Sequence, residues 1–492
     1  MIYRFNDISE GKFVMAQGNS SGKKDEKLKW WQLSLLGVAC TVGTGFFLGS
    51  HIAIQIGGPS AVVAYALAAF GAYLVYDKLS QMTAEDPMEG SFRSYAKKAF
   101  GRWAGFSSGW VYWSSELLIM GSQLTALALF SRFWFPQVPM WCFAAGYGVL
   151  GLVIIFIGTK GFERMESIFA VMKIAAIFMF LVIAILAVAG VLRTDAHGPA
   201  FPEDWLPNGF IGFWAALIFA FYGYGGLEAL GLMTMRLKEP KEAPKAGKAM
   251  LLLLASIYVI SIGLALILEP WNSYAAEESP FVVALVDYRL AFVPHLFNAV
   301  LIIAGFSTMT ASLFAVTTMI VTLASDGDAP PIFVKGKRKE GKKPLPAIGL
   351  TSAGLLASVV FALLMPKSVY EYITTAAGMM LLYNWLFILL TSGKLLKLTG
   401  WGKTKRYIGM ALVGFTLIGT LFHKISRPGF FISLGFIVVI GCVTLVMLRV
   451  WSKEEGAKND SSEHREKAEL VPSVSARTKY GTPRIRSKGR NR

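Results

Sequence analysis

Cysteine is nearly absent from the sequence, at three of 492 residues, and Cys40, Cys142 and Cys442 each sit inside a different apolar run. That spacing excludes a disulfide framework and a thiolate metal site, and no cofactor is expected. Acidic residues are scarce, 31 against 48 Lys and Arg, and histidine is rarer still at five. No cleavable leader is expected either: the opening stretch is polar and carries Arg4, Lys12, Lys23, Lys24, Lys27 and Lys29, so the N-terminus is expected to be cytoplasmic. The apolar runs hold no cluster of acid, base and metal-binding side chains of the kind a membrane enzyme needs.

What the chain does have is apolar length. It is 54% hydrophobic, and its apolar residues come in runs near the ~20 residues that cross a bilayer core as helix. The expected fold is an all-α membrane protein with twelve transmembrane helices, over 32–57, 59–80, 104–130, 139–158, 165–191, 209–233, 249–269, 292–324, 346–365, 368–391, 407–425 and 429–451. Residues 1–31 form an N-terminal segment, 32–425 the core and the eleventh helix, 429–451 the twelfth, and 452–492 a basic tail expected to be disordered.

A net charge of +17 raises the question of nucleic acid, and the distribution of that charge answers it. On this reading the basic residues fall in alternate connections, Arg93 to Arg102, Arg236 to Lys248, Lys335 to Lys343 and Lys394 to Arg406, and in both ends. The other side has only Arg132, Arg193, Arg289, Lys367, Lys424 and Arg427. The charge is a topology signal, placing both termini in the cytoplasm of a multi-pass protein of the cell membrane. Its expected partners are lipid and a small solute, with no nucleic acid; oligomeric state is not legible.

One stretch organises the rest. C-T-V-G-T-G-F-F-L-G-S, Cys40 to Ser50, puts Gly43, Thr44 and Gly45 where the first span lies deepest in lipid. Glycine weakens helix, and unpaired backbone inside a membrane survives only in protein or beside a cavity. Two readings stand: a helix that opens to expose N–H groups suited to a carboxylate, or small residues that let another helix pack closely. The sixth span, F-A-F-Y-G-Y-G-G-L-E-A-L-G-L, is interrupted likewise at Gly223, Gly225 and Gly226. Two interrupted spans five apart suggest a five-plus-five inverted repeat with a solute site between the breaks.

With these residues in view, the chain resembles the amino acid permeases of the amino acid–polyamine–organocation superfamily, and most of all its bacterial amino acid:proton symporters. The resemblance rests on Gly43-Thr44-Gly45-Phe46-Phe47-Leu48-Gly49-Ser50 followed by Gly57-Gly58-Pro59, and on Gly90-Ser91-Phe92-Arg93-Ser94-Tyr95-Ala96. It continues through Gly109-Trp110-Val111-Tyr112-Trp113, Tyr224-Gly225-Gly226-Leu227-Glu228 and Ser325-Asp326-Gly327-Asp328-Ala329-Pro330. Departures are Gln123, where many members place a glutamate, His51 for a small residue, Met235 and Arg236 for an acidic pair, and Thr318 and Ser325 for two arginines.

The resemblance implies a LeuT-type fold with discontinuous helices 1 and 6, importing an amino acid by proton symport. Carried over by motif position, the substrate carboxylate meets N–H groups at Thr44 and Gly45, the ammonium meets carbonyls near Thr41 and on the sixth span around Tyr222 and Gly225, and Gly43 belongs to the same site. Gln123 lines the same site. Tyr222 is either an aromatic lid or a packing residue. In proton-coupled relatives a lysine at the position of Lys173 stands where sodium-coupled cousins bind an ion; it carries or senses the coupling proton, or is a strut on a carbonyl. Glu228 caps the N–H groups freed by the second break, with a proton relay as an added role. Glu116 receives no role, and His51 reads as a satisfied packing residue. The alternatives are a transporter-like amino acid sensor and an exchanger without proton coupling.

Overall fold

The computed structural model describes residues 27–469, apart from 89, 158, 193–198, 235–236, 275–278, 287, 289–291, 335–343 and 365–368. Arg193, Met235, Arg236, Arg289, the Lys335 to Lys343 loop, Lys367, most of the N-terminal segment and the last part of the tail lie outside the described residues. Among those described the chain is helical, with one β-bridge between Leu28 and Leu237 and no strand.

The first expected span is three helices, α1 (Trp30–Thr41), α2 (Thr44–Phe47) and α3 (Gly49–Gly57). Then follow α4 (Ala61–Glu85), α5 (Phe92–Phe100), α6 (Arg102–Arg132), α7 (Met140–Ile157) and α8 (Thr159–Val188). The sixth expected span is two helices, α9 (Gly209–Tyr222) and α10 (Leu227–Met233). The chain continues with α11 (Ala243–Leu268), α12 (Pro280–Val286), α13 (Phe292–Ser325), α14 (Leu345–Leu364), α15 (Val369–Leu395), α16 (Gly400–Gly419) and α17 (Arg427–Glu469). It divides into two units after Gly441, the second beginning within α17.

Helix occupies every expected span, but only seven described stretches are long and apolar enough to cross a membrane on that count alone, and α9 and part of α14 are apolar but short. The difference is chemical. α6 carries Ser107, Ser108, Ser114, Ser115, Glu116, Ser122 and Gln123, all turned into protein rather than lipid or only partly exposed. Where helices face outward they are apolar: Val149, Leu150 and Val153 on α7 and Val171, Phe178 and Ile185 on α8 stand exposed, a surface that calls for hydrocarbon rather than water. Trp31, Trp103, Trp141 and Trp205 are exposed at or beside helix ends, as membrane-interface tryptophans are.

The last apolar stretch runs from Arg427 to Lys453, close to the expected end at 451, and α17 continues beyond it to Glu469. Ser452–Glu469 has five Glu and three Lys and holds no proline, and straight-chain residues of that kind extend a helix at little cost.

Two family-like motifs far apart in the chain meet at one end of α6. α5 is bounded by Ser91 at a φ of +47° and Gly101 at +95°, conformations that stop helix on either side. From it Arg93 reaches the carboxylates of Asp326 and Asp328 just past α13, the latter at 2.5 Å. Arg102 joins Asp328 at 3.3 Å, and the Trp110 indole donates to the Asp328 carbonyl at 3.1 Å. Asp328 is wholly buried and Arg93 nearly so; removing one partner of a buried pair of this kind typically costs ~3–5 kcal/mol, so the cluster pins α5 and α6 to α13.

Candidate functional site

α1 ends because Val42 and Gly43 turn extended, Gly43 at φ −160° and ψ −156°. The chain then rewinds at once. The Gly43 carbonyl accepts from both Phe46 and Phe47 N–H at 3.0 Å, and the Thr44 carbonyl accepts from Leu48 at 2.9 Å. The N–H groups of Thr44 and Gly45 therefore head a new helix, with no carbonyl of a preceding turn to receive them. The second break is tighter. After Tyr222 the N–H groups of Gly223, Tyr224 and Gly225 bond to Phe219, Phe221 and Tyr222 carbonyls at 3.0–3.1 Å, and Gly226 adopts a φ of +114° that only glycine takes easily. The Gly226 N–H donates to Glu228 Oε2 at 3.1 Å, so Glu228 does cap the freed backbone; its other oxygen accepts from the Trp385 indole on α15.

The two breaks press against each other. A Cβ on Gly226 would come within 3.0 Å of Thr41 Oγ1, and one on Gly45 within 3.1 Å of the Tyr222 ring and 3.2 Å of its carbonyl. Behind them α13 presents Thr308, whose methyl would lie 2.5 Å from a Cβ on Gly43. Hydroxyls of Tyr370 and Tyr65 donate to the carbonyls of Thr44 and Gly45 at 3.3 and 3.5 Å. Side-chain oxygens of Thr41, Thr44 and Gln123 are buried here or nearby on α6 and have no hydrogen-bond partner among the described residues. Buried polar atoms are seldom left so, and with the Tyr222 hydroxyl, likewise without a partner among the described residues, they make four among the expected residues. Gly225 belongs to the turn itself. Tyr222 is buried, and on α6 the Ser122 hydroxyl meets that of Thr374 at 2.6 Å.

Lys173 on α8 is fully buried, and its Nζ donates to the Ala39 carbonyl at 3.1 Å. Ala39 lies in the last turn of α1, where carbonyls lose their helical partners and a cation is favoured. The carbonyl pairing weighed from sequence is thus present.

Sequence reasoning missed two groups. Glu116 is buried on α6, 9% exposed. An acid two turns before Gln123 on one helix shares its face, which was the available signal. His51 was expected to be satisfied, yet it is fully buried with neither ring nitrogen partnered among the described residues. No three His, Cys, Asp or Glu side chains gather for a metal among the described residues.

Comparison with known proteins shows the family. The family model for amino acid permeases matches residues 32–455. The chain is 54% identical over 447 residues to the uncharacterized transporter YcgH of Bacillus subtilis, covering 89% of this chain and 99% of that protein. It is 30% identical over 392 residues to the aromatic amino acid transport protein AroP of Escherichia coli K12, covering 77% and 84% of the two. With AroP of Salmonella typhimurium SL1344 the identity is 30% over 369 residues, covering 73% and 79%.

Proposed function

The chain belongs to the amino acid permease family, and on that premise we propose that it imports an amino acid across the cell membrane by proton symport. In this reading the twelve helical segments are all spans, arranged as a LeuT-type five-plus-five repeat with both termini cytoplasmic. The substrate carboxylate is held by the N–H groups of Thr44 and Gly45 at the head of α2, with the Gly43 backbone and Thr44 hydroxyl beside it. Its ammonium faces carbonyls around Thr41 and Tyr222, Gln123 completes the polar lining, and Tyr222 is the lid. Lys173 responds to the coupling proton by holding or releasing the last turn of α1. Similarity to aromatic amino acid carriers, with Glu228 already engaged by two donors, favours a neutral side chain over a cationic one.

The observation that carries the proposal is the meeting of the two helix breaks, together with four partnerless polar oxygens on Thr41, Thr44, Gln123 and Tyr222. The experiment is uptake of a radiolabelled mixture of the proteinogenic amino acids into proteoliposomes. At one proton per amino acid, an inward gradient of about one pH unit supports about tenfold accumulation, since a unit is worth about 1.36 kcal/mol. Binding without accumulation would point to a sensor, and uptake only into preloaded vesicles to an exchanger; either result overturns the proposal.

A further inference from the structure

Between Glu371 and Glu454 the sequence has no acidic residue, and inside that stretch Lys394, Lys397, Lys403, Lys405 and Arg406 fall close together. Glu371 is at the far end of α15, and α16 carries no acid at all. Any charge that balances these cations must come from another helix or from outside the protein.

α16 packs against both α4 and α15, which also touch each other. Where the three meet, Asp77 of α4 pairs with Lys78 at 2.9 Å and lies 3.8 Å from Lys405, whose Nζ also donates to the Tyr73 hydroxyl at 3.3 Å. Lys78 is 1% exposed and is the nearer partner, so one carboxylate serves two ammonium groups. Arg406 has no acid. Among the described residues it makes neither an ion pair nor a hydrogen bond, and its Nε is shut off from solvent. Its guanidinium lies over Gly393 of α15, in the space a side chain there would need, and 4.7 Å from the centre of the Tyr407 ring. Lys78, Lys405 and Arg406 against Asp77 alone leave positive charge in excess. A half-buried guanidinium without a partner is costly, and its planar fork of donors suits the oxygens of a phosphate.

The surroundings say which anion fits. Trp401 and Tyr407 stand exposed beside the cations, as aromatic side chains do at the headgroup level of a membrane. Towards the middle of each helix the exposed side chains become aliphatic, Leu390 on α15 and Ile408 on α16. Cations at the interface with apolar surface leading inward from them match a molecule that joins an anionic head to hydrocarbon chains.

We propose that the junction of α4, α15 and α16 binds one anionic phospholipid. Arg406 and Lys405 hold its phosphodiester, Lys78 neutralises the Asp77 carboxylate that would repel it, and its acyl chains lie along Leu390 and Ile408. The site is independent of which solute is carried and of what drives transport.

The full-length protein in detergent is titrated with phosphatidylglycerol, with phosphatidylcholine of the same acyl chains, or with inorganic phosphate, and the thermal unfolding midpoint is followed. Phosphatidylglycerol is expected to raise the midpoint saturably and the other two to leave it in place. An equal rise with phosphatidylcholine would show that head charge is not read, and an equal rise with phosphate that no lipid chain is needed; either overturns the proposal. Two variants locate the site. Arg406→Gln is expected to raise the phosphatidylglycerol concentration at half-effect about tenfold, the worth of one hydrogen bond to a charged group. Gly393→Ala keeps every charge and suits a helix, but its Cβ takes the place of the guanidinium tip, so a comparable loss is expected where surface charge alone predicts none. Lys397→Gln removes an exposed charge from the same connection and is expected to titrate as wild type does. Wild-type binding by Arg406→Gln or by Gly393→Ala would overturn the proposal, as would an equal loss in Lys397→Gln. If one of the first two variants does not fold, the other decides by the same criterion.

Discussion

Lys173→Met is expected to bring gradient-driven amino acid uptake down to the level of empty vesicles while the protein still inserts. Methionine matches lysine in length and packs adaptably, so the volume beside α1 stays filled. What is removed is an ammonium buried at 0% exposure and its bond to the Ala39 carbonyl. Leaving that carbonyl without its donor costs about 1–3 kcal/mol, a loss of stability that a helical bundle of this size survives and that thermal unfolding in detergent would register. The transport effect is the larger one, because a charge that can be lost and regained at the end of α1 is what would link proton occupancy to the first break. If Lys173 is only a strut, counterflow and accumulation fall together in proportion to stability. Unchanged accumulation in Lys173→Met excludes any part for this residue in coupling.

Gly226→Ala is expected to abolish uptake almost as completely, for a steric reason. Gly226 sits at a φ of +114°, where a side chain is strained by ~1–3 kcal/mol, and its new Cβ would lie 3.0 Å from Thr41 Oγ1. The strain can be relieved only by turning the N–H away from Glu228 or by pushing α1 off α10, and both spread the two breaks. A penalty of about 2.7 kcal/mol corresponds to about a hundredfold loss of transport rate at subsaturating substrate. Gly263→Ala on α11 is the control: its Cβ would meet nothing within 4 Å, and alanine should favour the helix by about 0.5–1 kcal/mol there. Equal uptake by the two variants would mean that the shape of the second break is irrelevant to transport.

The breaks themselves were legible because their cause is local. Glycine in mid-span acts on its own backbone, and both clusters interrupt helix where the sequence places them, at Gly43 and from Gly223 to Gly226. Lys173 and Glu228 were legible for a similar reason, being charges in apolar company. Glu116 was not, although it is a charge of the same kind. α6 carries serine and glycine around much of its circumference, so no apolar stripe shows which side faces protein. The Arg93–Asp326–Asp328 cluster was hidden likewise: each motif was visible, but nothing in either announced the other. The continuation of α17 past the span end was not legible because hydropathy marks where an apolar run stops, whereas a helix carrying lysine and glutamate need not stop with it.

The claim under all of this is that peptide N–H groups bared at Thr44 and Gly45 grip the carboxylate of an amino acid. Competition against uptake tests it most directly, with each amino acid that inhibits paired against its own methyl ester, which keeps the side chain and ammonium but has no carboxylate charge. The account predicts that the free acids compete and the esters do not. Esters that compete as well as the acids would contradict it.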